Sequence, residues 1–295
     1  MLITRSAIQQ LQVGFSGIYR AGWGITTPKL VDLATTVPST TRTNTYGWMG
    51  RLLKMRKWDG PRVIQNLNTF AYQLENEPYE LTVGVDRDDI EDDQLGVYNP
   101  LFDELGRNAR KWPDQVIKTV LQNGTTALGF DGVAMFSTAH PLNPAGNQSN
   151  NFTTTALNAT NFSTVRAAMA AYTGEDGEPL GVNADTLIVP PQLEDTANTI
   201  VTAEYGSSGA SNVQKGQARV VVVPELANAP ATWYLADNSN AIKGLVWQLR
   251  KAPEFVSKTE LTDDNVFFQK QFIWGVDARG VAGFGPWFLM ARAIA

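Results

Sequence analysis

The chain has 295 residues, 43% of them hydrophobic, with 8 Trp and no Cys, which excludes global disorder, disulfides, thiolate metal sites and a cysteine nucleophile. A net charge of −5, from 24 basic and 29 acidic residues, excludes a protein whose whole surface grips nucleic acid by neutralising phosphates. No run nears the ~20 apolar residues of a membrane span, and MLITRSAIQQLQVGF lacks the continuous apolar stretch of a secretory signal.

Residues 1–45 read as an arm: Thr, Ser and Gly are frequent, periodicity is weak, and TTVPSTTRTNT lies near the end. Such a segment is expected to stay extended until it lies on something. Residues 46–87 read as a β ribbon. FAYQL alternates, and so does YELTVGVD, with Tyr79, Leu81, Val83 and Val85 on one face. Two places qualify for the ribbon tip, the turn Asp59-Gly60-Pro61 and the stretch ENEP. Residues 99–123 read as the main helix, with Asn99 as N-cap, Pro100 in the first helical position and Asn123-Gly124 as the stop. Leu101, Leu105, Ala109, Trp112, Val116 and Val120 form one face. Pro113 should kink the helix or split it at Trp112.

FDGVAMFSTAHPLNP reads as a short strand and turns, and 161–172 as a short helix. Sequons at Asn123, Asn147, Asn151, Asn158 and Asn161 read as a polar Asn/Thr-rich loop in a chain with no visible secretory signal. DTLIVPPQLEDTANTIVTA reads as strand, turn and helix; ARVVVVPEL, ATWYLAD and IKGLVWQLR read as strands. The end, from Asn265, looks like two strands joined at a Gly-rich turn, GVAGFG. This order is α+β rather than a regular βαβ alternation.

Charge is unevenly placed. Tyr46–Arg62 carries five cations (Arg51, Lys54, Arg56, Lys57, Arg62) against one Asp. Glu75–Asp93 carries nine carboxylates against Arg87 alone, ending in DRDDIEDD. Adjacent segments of opposite sign suggest an electrostatic joint, within the chain or between copies. On a helix, Asp88/Asp92 and Asp89/Asp93 would set like charges together, which Mg²⁺ or Ca²⁺ could relieve. The spacing is not an EF-hand loop, and the plainer reading is a junction where a strand ends and acidic side chains approach a helix N-terminus or a basic partner.

Other chemistry finds little support. His140, the one His, sits in the Pro-bounded TAHPLNP with no G-x-S-x-G elbow in the chain, and reads as a hydrogen-bonding turn residue. Phosphate-loop and dinucleotide patterns are absent. Trp48, Trp58 and Trp112 lie among charges; they read better as interface anchors than as a base-stacking platform.

YGWMGRLLKMRKWDGPR, NEPYELTVGVDRDDIEDDQLGVYNP, FDGVAMFSTAHP and TLIVPPQLEDTANTI, in this order, resemble the major head subunit of Mu-like phages and prophages, and weaker likeness runs through WYLAD to the terminal strands. The resemblance implies the Hong Kong 97-type capsid fold: an N-arm (1–45), an extended E-loop (46–87), a peripheral P-domain (88–154 and 246–295) with a spine helix within 94–123, and an axial A-domain (155–245). It implies a major capsid protein that self-assembles, as hexamers and pentamers, into an icosahedral shell around double-stranded DNA, and no catalytic residue, metal or cofactor. It also implies work with a scaffolding protein, a portal and a possible decoration protein, assembly in the host cytoplasm, and a final place in the virion head. The scaffold is expected to be a separate product, since no long charged helical segment precedes the arm. The acidic run then becomes the hinge from E-loop to spine. The expected contact sets Arg51, Lys54, Arg56, Lys57 and Arg62 against a neighbouring subunit's Asp88, Asp89, Glu91, Asp92 and Asp93. Two alternatives remain: the shell of an encapsulin-like nanocompartment, and a metal-dependent hydrolase using residues 86–93.

Overall fold

A computed structural model describes residues 3–48, 70–92, 95–142, 146–174, 177–205, 209 and 211–295. The chain opens with a helix, α1 (Arg5–Ile25), and not with an extended arm. Thr4 caps it, accepting the Ala7 amide at 3.2 Å. Its inner face, Ile8, Phe15, Tyr19 and Gly22, steps by three, four or seven, the helical repeat. Then come β1 (Ala34–Pro38), β2 (Thr43–Trp48), β3 (Phe70–Glu75), β4 (Glu77–Asp86) and the short α2 (Arg87–Glu91).

The main helix, α3 (Asn99–Gln122), begins one residue earlier than expected: Tyr98 is the N-cap and Pro100 the second helical residue. The helix runs unbroken through Pro113. Packing holds it across the missing hydrogen bond. Trp112 meets Trp247 edge to face at 4.9 Å and Tyr79 at 5.2 Å. Asp114 accepts the backbone amides of Lys29, Leu30 and Val31. The buried face is Phe102, Leu105, Ala109, Trp112, Ile117 and Leu121, so the expected stripe is partly rotated: Leu101 is exposed. Trp112, expected as an interface anchor, is core.

Beyond α3 come β5 (His140–Leu142), β6 (Gly146–Gln148), β7 (Asn151–Phe152), α4 (Ala159–Ala170), β8 (Thr186–Val189), α5 (Glu194–Val201), β9 (Arg219–Val222) and β10 (Thr232–Ala236). The chain ends with β11 (Leu245–Lys258), α6 (Asp264–Gln269), β12 (Gln271–Phe284) and β13 (Met290–Ile294).

Two sheets organise these elements. The first has the order β1-β11-β12-β4, the second β7-β13-β10-β8-β9. β11 is wholly buried over its first four residues and alternates thereafter, as expected of a strand covered on both faces at one end and on one face at the other. β12 and β13 do not form the expected terminal hairpin. β12 pairs with β11 and β4, whereas β13 crosses to pair with β10. GVAGFG is strand up to Phe284, not turn: a Cβ on Gly280 would lie 2.8 Å from the Gln248 carbonyl, and one on Gly283 2.6 Å from the Leu74 side chain. Glycine permits this closeness. One core runs between the two sheets through Trp112, Trp247, Phe284, Leu235 and Met290; a smaller one joins α1, α3 and the outer end of β12 through Phe15, Phe102, Phe272 and Trp274.

β2 and β3 pair from Thr43↔Glu75 to Trp48↔Phe70, giving a two-stranded ribbon. ENEP is the ribbon's base rather than its tip. Buried Asn76 donates there to Ser39 Oγ and to the Thr41 and Arg42 carbonyls, and accepts from Gln248 Nε2. The Asp59-Gly60-Pro61 turn lies outside the described residues.

Candidate assembly interface

The acidic run is where β4 stops and α2 starts. Asp86 is the N-cap: its Oδ1 accepts the Asp88 amide at 2.8 Å. Asp88 and Asp89 fall in the first turn, where the helix dipole favours them. Ile90 is the run's single apolar residue. It is fully buried, in the smaller core with Val85, Phe102 and Phe272. One aliphatic side chain thus pins a segment in which Asp88, Glu91 and Asp92 are exposed.

Three of these carboxylates have separate partners on the same chain, two of them cationic side chains. Glu91 pairs with Arg87 at 3.0 Å, Asp88 lies 3.6 Å from Lys270 Nζ, and Asp89 accepts the Tyr98 hydroxyl. That hydrogen bond, with desolvation behind it, raises the Tyr98 pKa above its ordinary value. Asp92 caps the C-terminus of α2, its amide bonding the Asp88 and Ile90 carbonyls. Among the described residues no group of three or more His, Asp or Glu is placed to hold a metal ion. Asp93 and the cations Arg51, Lys54, Arg56, Lys57 and Arg62 lie outside the described residues. In the sequence those cations fall between β2 and β3.

A neighbouring feature escaped the sequence reading, which took NVFFQKQFIW as strand. Residues 264–269 instead form α6, which joins the returning strand at Lys270, a left-handed position with φ 53. The Arg87 amide bonds the Lys270 carbonyl at 2.8 Å, so α2 and α6 form one corner. Phe267 and Phe268 are each 76% exposed there. The legible signal was the cap Asp263 followed by an acidic residue at the first helical position.

His140 is buried. Its Nδ1 lies 2.6 Å from Asp131 Oδ2, its Nε2 3.0 Å from Asn150 Oδ1, and its ring stacks on Trp287 at 4.2 Å. Asn150 in turn donates to the Met135, Trp287 and Met290 carbonyls. The cluster ties the β5–β7 region to the end of the chain, and both imidazole nitrogens are engaged in it.

The fold is that of phage shells. A procapsid chain of bacteriophage JBD30 is 31% identical, with a TM-score of 0.63, over 99% of this chain and 76% of that one. The mature capsid of bacteriophage PhiM1 shares the fold alone, at 11% identity and a TM-score of 0.58 over 92% of this chain and 87% of that one. Two sheets about a long helix, with a separate two-stranded ribbon, thus define a phage major capsid protein of the Hong Kong 97 type. The major capsid protein of Escherichia phage Mu is 29% identical over 97% of this chain and 73% of the relative; the FluMu major head subunit of Haemophilus influenzae is 28% identical over 99% and 74%. The chain belongs to the family of the Mu-like prophage major head subunit gpT, whose model matches residues 8–156, 151–226 and 225–294. It is a subunit of the head shell, and neither the nanocompartment nor the hydrolase reading finds support.

Proposed function

We propose that this head subunit works by assembly and performs no catalysis, with its ribbon completed only on another copy. The observation that carries this is the ribbon: β2 and β3 pair with each other and with no strand of either large sheet. A lone two-stranded ribbon is marginal in water and needs a surface to lie on. In this reading the N-arm takes residues 1–45, the E-loop 46–87, the P-domain 88–154 and 246–295 around the spine helix, and the A-domain 155–245. The pairing of β13 with β10 favours moving the last strand into the axial layer.

The hinge gives the contact its register. Arg51, Lys54, Arg56, Lys57 and Arg62 of one copy would pair with Asp88, Asp89, Glu91, Asp92 and Asp93 of the next. Each exposed pair is worth only ~0–1 kcal/mol, so the gain is partner choice multiplied over many copies. Hexamers and pentamers of the chain, built in the host cytoplasm with a scaffolding protein and a portal and open to a decoration protein, would close an icosahedral head. The net charge of −5 suits a wall that does not hold packaged double-stranded DNA too tightly for release.

A charge swap tests this. Asp88→Lys/Glu91→Lys/Asp92→Lys should leave the subunit folded and abolish shells, and Lys54→Glu/Arg56→Glu/Lys57→Glu should restore them. Shells from the first variant alone would defeat the contact.

A further inference from the structure

The buried Asn150 amide has one possible orientation. Its Nδ2 donates to the Met135, Trp287 and Met290 carbonyls at 2.8, 3.2 and 3.0 Å, so Oδ1 is the atom that faces His140. That oxygen also accepts the Ser137 amide at 2.9 Å. An amide oxygen only accepts, so His140 Nε2, 3.0 Å away, carries a hydrogen. The other ring nitrogen, Nδ1, lies 2.6 Å from Asp131 Oδ2, and an ionised carboxylate also only accepts. A neutral imidazole protonated at Nε2 alone would set its Nδ1 lone pair against that carboxylate, with both groups buried. The short separation instead calls for a second proton between the two, on Nδ1 or on Oδ2.

The surroundings offer no substitute for that proton. The His140 side chain is fully buried and that of Asp131 is 9% exposed. Asp131 Oδ1 accepts the Val133 amide at 3.2 Å, and the Trp287 ring covers the imidazole face. β6, which pairs with β5 at Gln148, brings no charged side chain. β13 brings Arg292, whose guanidinium donates to Asn151 Oδ1 at 2.9 Å. Tyr172, just past α4, donates its hydroxyl to the Ser149 carbonyl at 2.8 Å and meets Trp287 edge to face. Burial pushes the Tyr172 pKa up, so that hydroxyl stays un-ionised. Among the described residues Asp131 is the one charged group bonded to the ring.

We infer that the His140–Asp131 pair is a proton-held latch, in which one shared proton keeps the 131–150 region docked, through Asn150, where the chain leaves β12 for β13. This goes beyond the assembly reading and does not depend on it. In water, histidine gives up its second proton near about pH 6.5, and aspartate holds none above about pH 4. Above about pH 6.5 the native chain therefore binds one proton more than the unfolded chain. Stability from the latch is complete just below that pH and is lost as pH rises, the unfolding constant growing about tenfold per pH unit until the native pair itself gives up the proton. Every subunit thus carries a joint that loosens on the alkaline side.

Asp131→Asn separates this latch from every other titrating group. Its amide can accept the Val133 N–H through Oδ1 and donate through Nδ2 to Nδ1 of a neutral imidazole, so the cluster closes without the second proton. Urea denaturation of the unassembled subunit, at about pH 6.5 and about pH 8.5, reads the difference. The unfolding constant of the unsubstituted chain should rise at least tenfold more across this interval than that of Asp131→Asn. Parallel changes in the two chains overturn the latch. His140 is the single histidine, so a ¹⁵N-histidine label reads the ring directly and decides alone should Asp131→Asn fail to fold. At about pH 8 the folded subunit should show hydrogen on Nε2 and a second, strongly hydrogen-bonded proton at Nδ1. A ring with one proton and a bare nitrogen at that pH also overturns it.

Discussion

Replacing Gly106 by alanine would set a methyl carbon 2.1 Å from the Tyr19 carbonyl oxygen and 2.9 Å from the Trp23 amide nitrogen. Both are backbone atoms of α1, so no side chain can swing aside. The opposite glycine is equally tight: a Cβ on Gly22 would lie 2.2 Å from the Asp103 carbonyl. α1 and α3 therefore meet backbone to backbone, and a methyl at either place must push them apart by about 1 Å to reach ordinary contact. That shift loosens the Phe15–Phe102 stack, now 4.0 Å between centroids, and the Arg110 guanidinium over Trp23 at 5.1 Å. Alanine in an open helix gains about 1 kcal/mol over glycine, and overpacking costs about 1–3 kcal/mol plus the lost contacts. The Gly106→Ala subunit should come out about 1–3 kcal/mol less stable. Gly17→Ala is the control: nothing lies within 4 Å of its Cβ, so it should be about 0.5–1 kcal/mol more stable. Urea denaturation of the unassembled subunit reads both, with an unchanged m-value confirming that native packing is what moved. Gly22→Ala/Gly106→Ala together should lose less than the sum, since one displacement relieves both clashes. A Gly106→Ala subunit as stable as Gly17→Ala would refute the close crossing.

Ile90→Ala should cost about 2–5 kcal/mol and raise amide exchange across residues 86–92, since Ile90 is the hinge's one buried anchor; protection equal to the wild type would contradict that. Asn150→Asp turns three donated bonds into carboxylate facing carbonyl and should cost about 3 kcal/mol or more in chemical denaturation; a loss under about 1 kcal/mol would mean the cluster does not bind the chain end. Asp114→Asn should destabilise, because its amide group cannot accept from all three of Lys29, Leu30 and Val31. Burial, outweighing those amides, lifts the Asp114 pKa above its ordinary 3.8. A raised acid contributes stability that is full below the unfolded value and lost as pH rises through the folded one. The deficit of Asp114→Asn should therefore be larger at pH 4 than at pH 7; paired urea titrations showing the reverse would sink the assignment.

Strand alternation made β3 and β4 legible, and the 3.6-residue step with its Asn stop made α3 legible. α1 was missed although Ile8, Leu11, Phe15 and Tyr19 keep a helical step. Four glycines, at 14, 17, 22 and 24, lower intrinsic propensity, and the reason for Gly22 lies on another helix. GVAGFG failed for the same reason: Gly280 and Gly283 record what packs against them, which a local reading takes for a turn. The seam after β4 was readable because an alternating strand pattern stops where a run of carboxylates begins. The exposed Phe267–Phe268 pair was not, since VFF looks like strand until Lys270 turns left-handed.

The crossing of β13 into the second sheet has a mechanical side. Between β10 and β11, and again between β12 and β13, the backbone passes from one layer to the other through short links. A pull on either layer therefore loads two covalent straps that run in opposite directions. Neither layer can peel off as a separate body; the pair must tilt together under stress, or melt together.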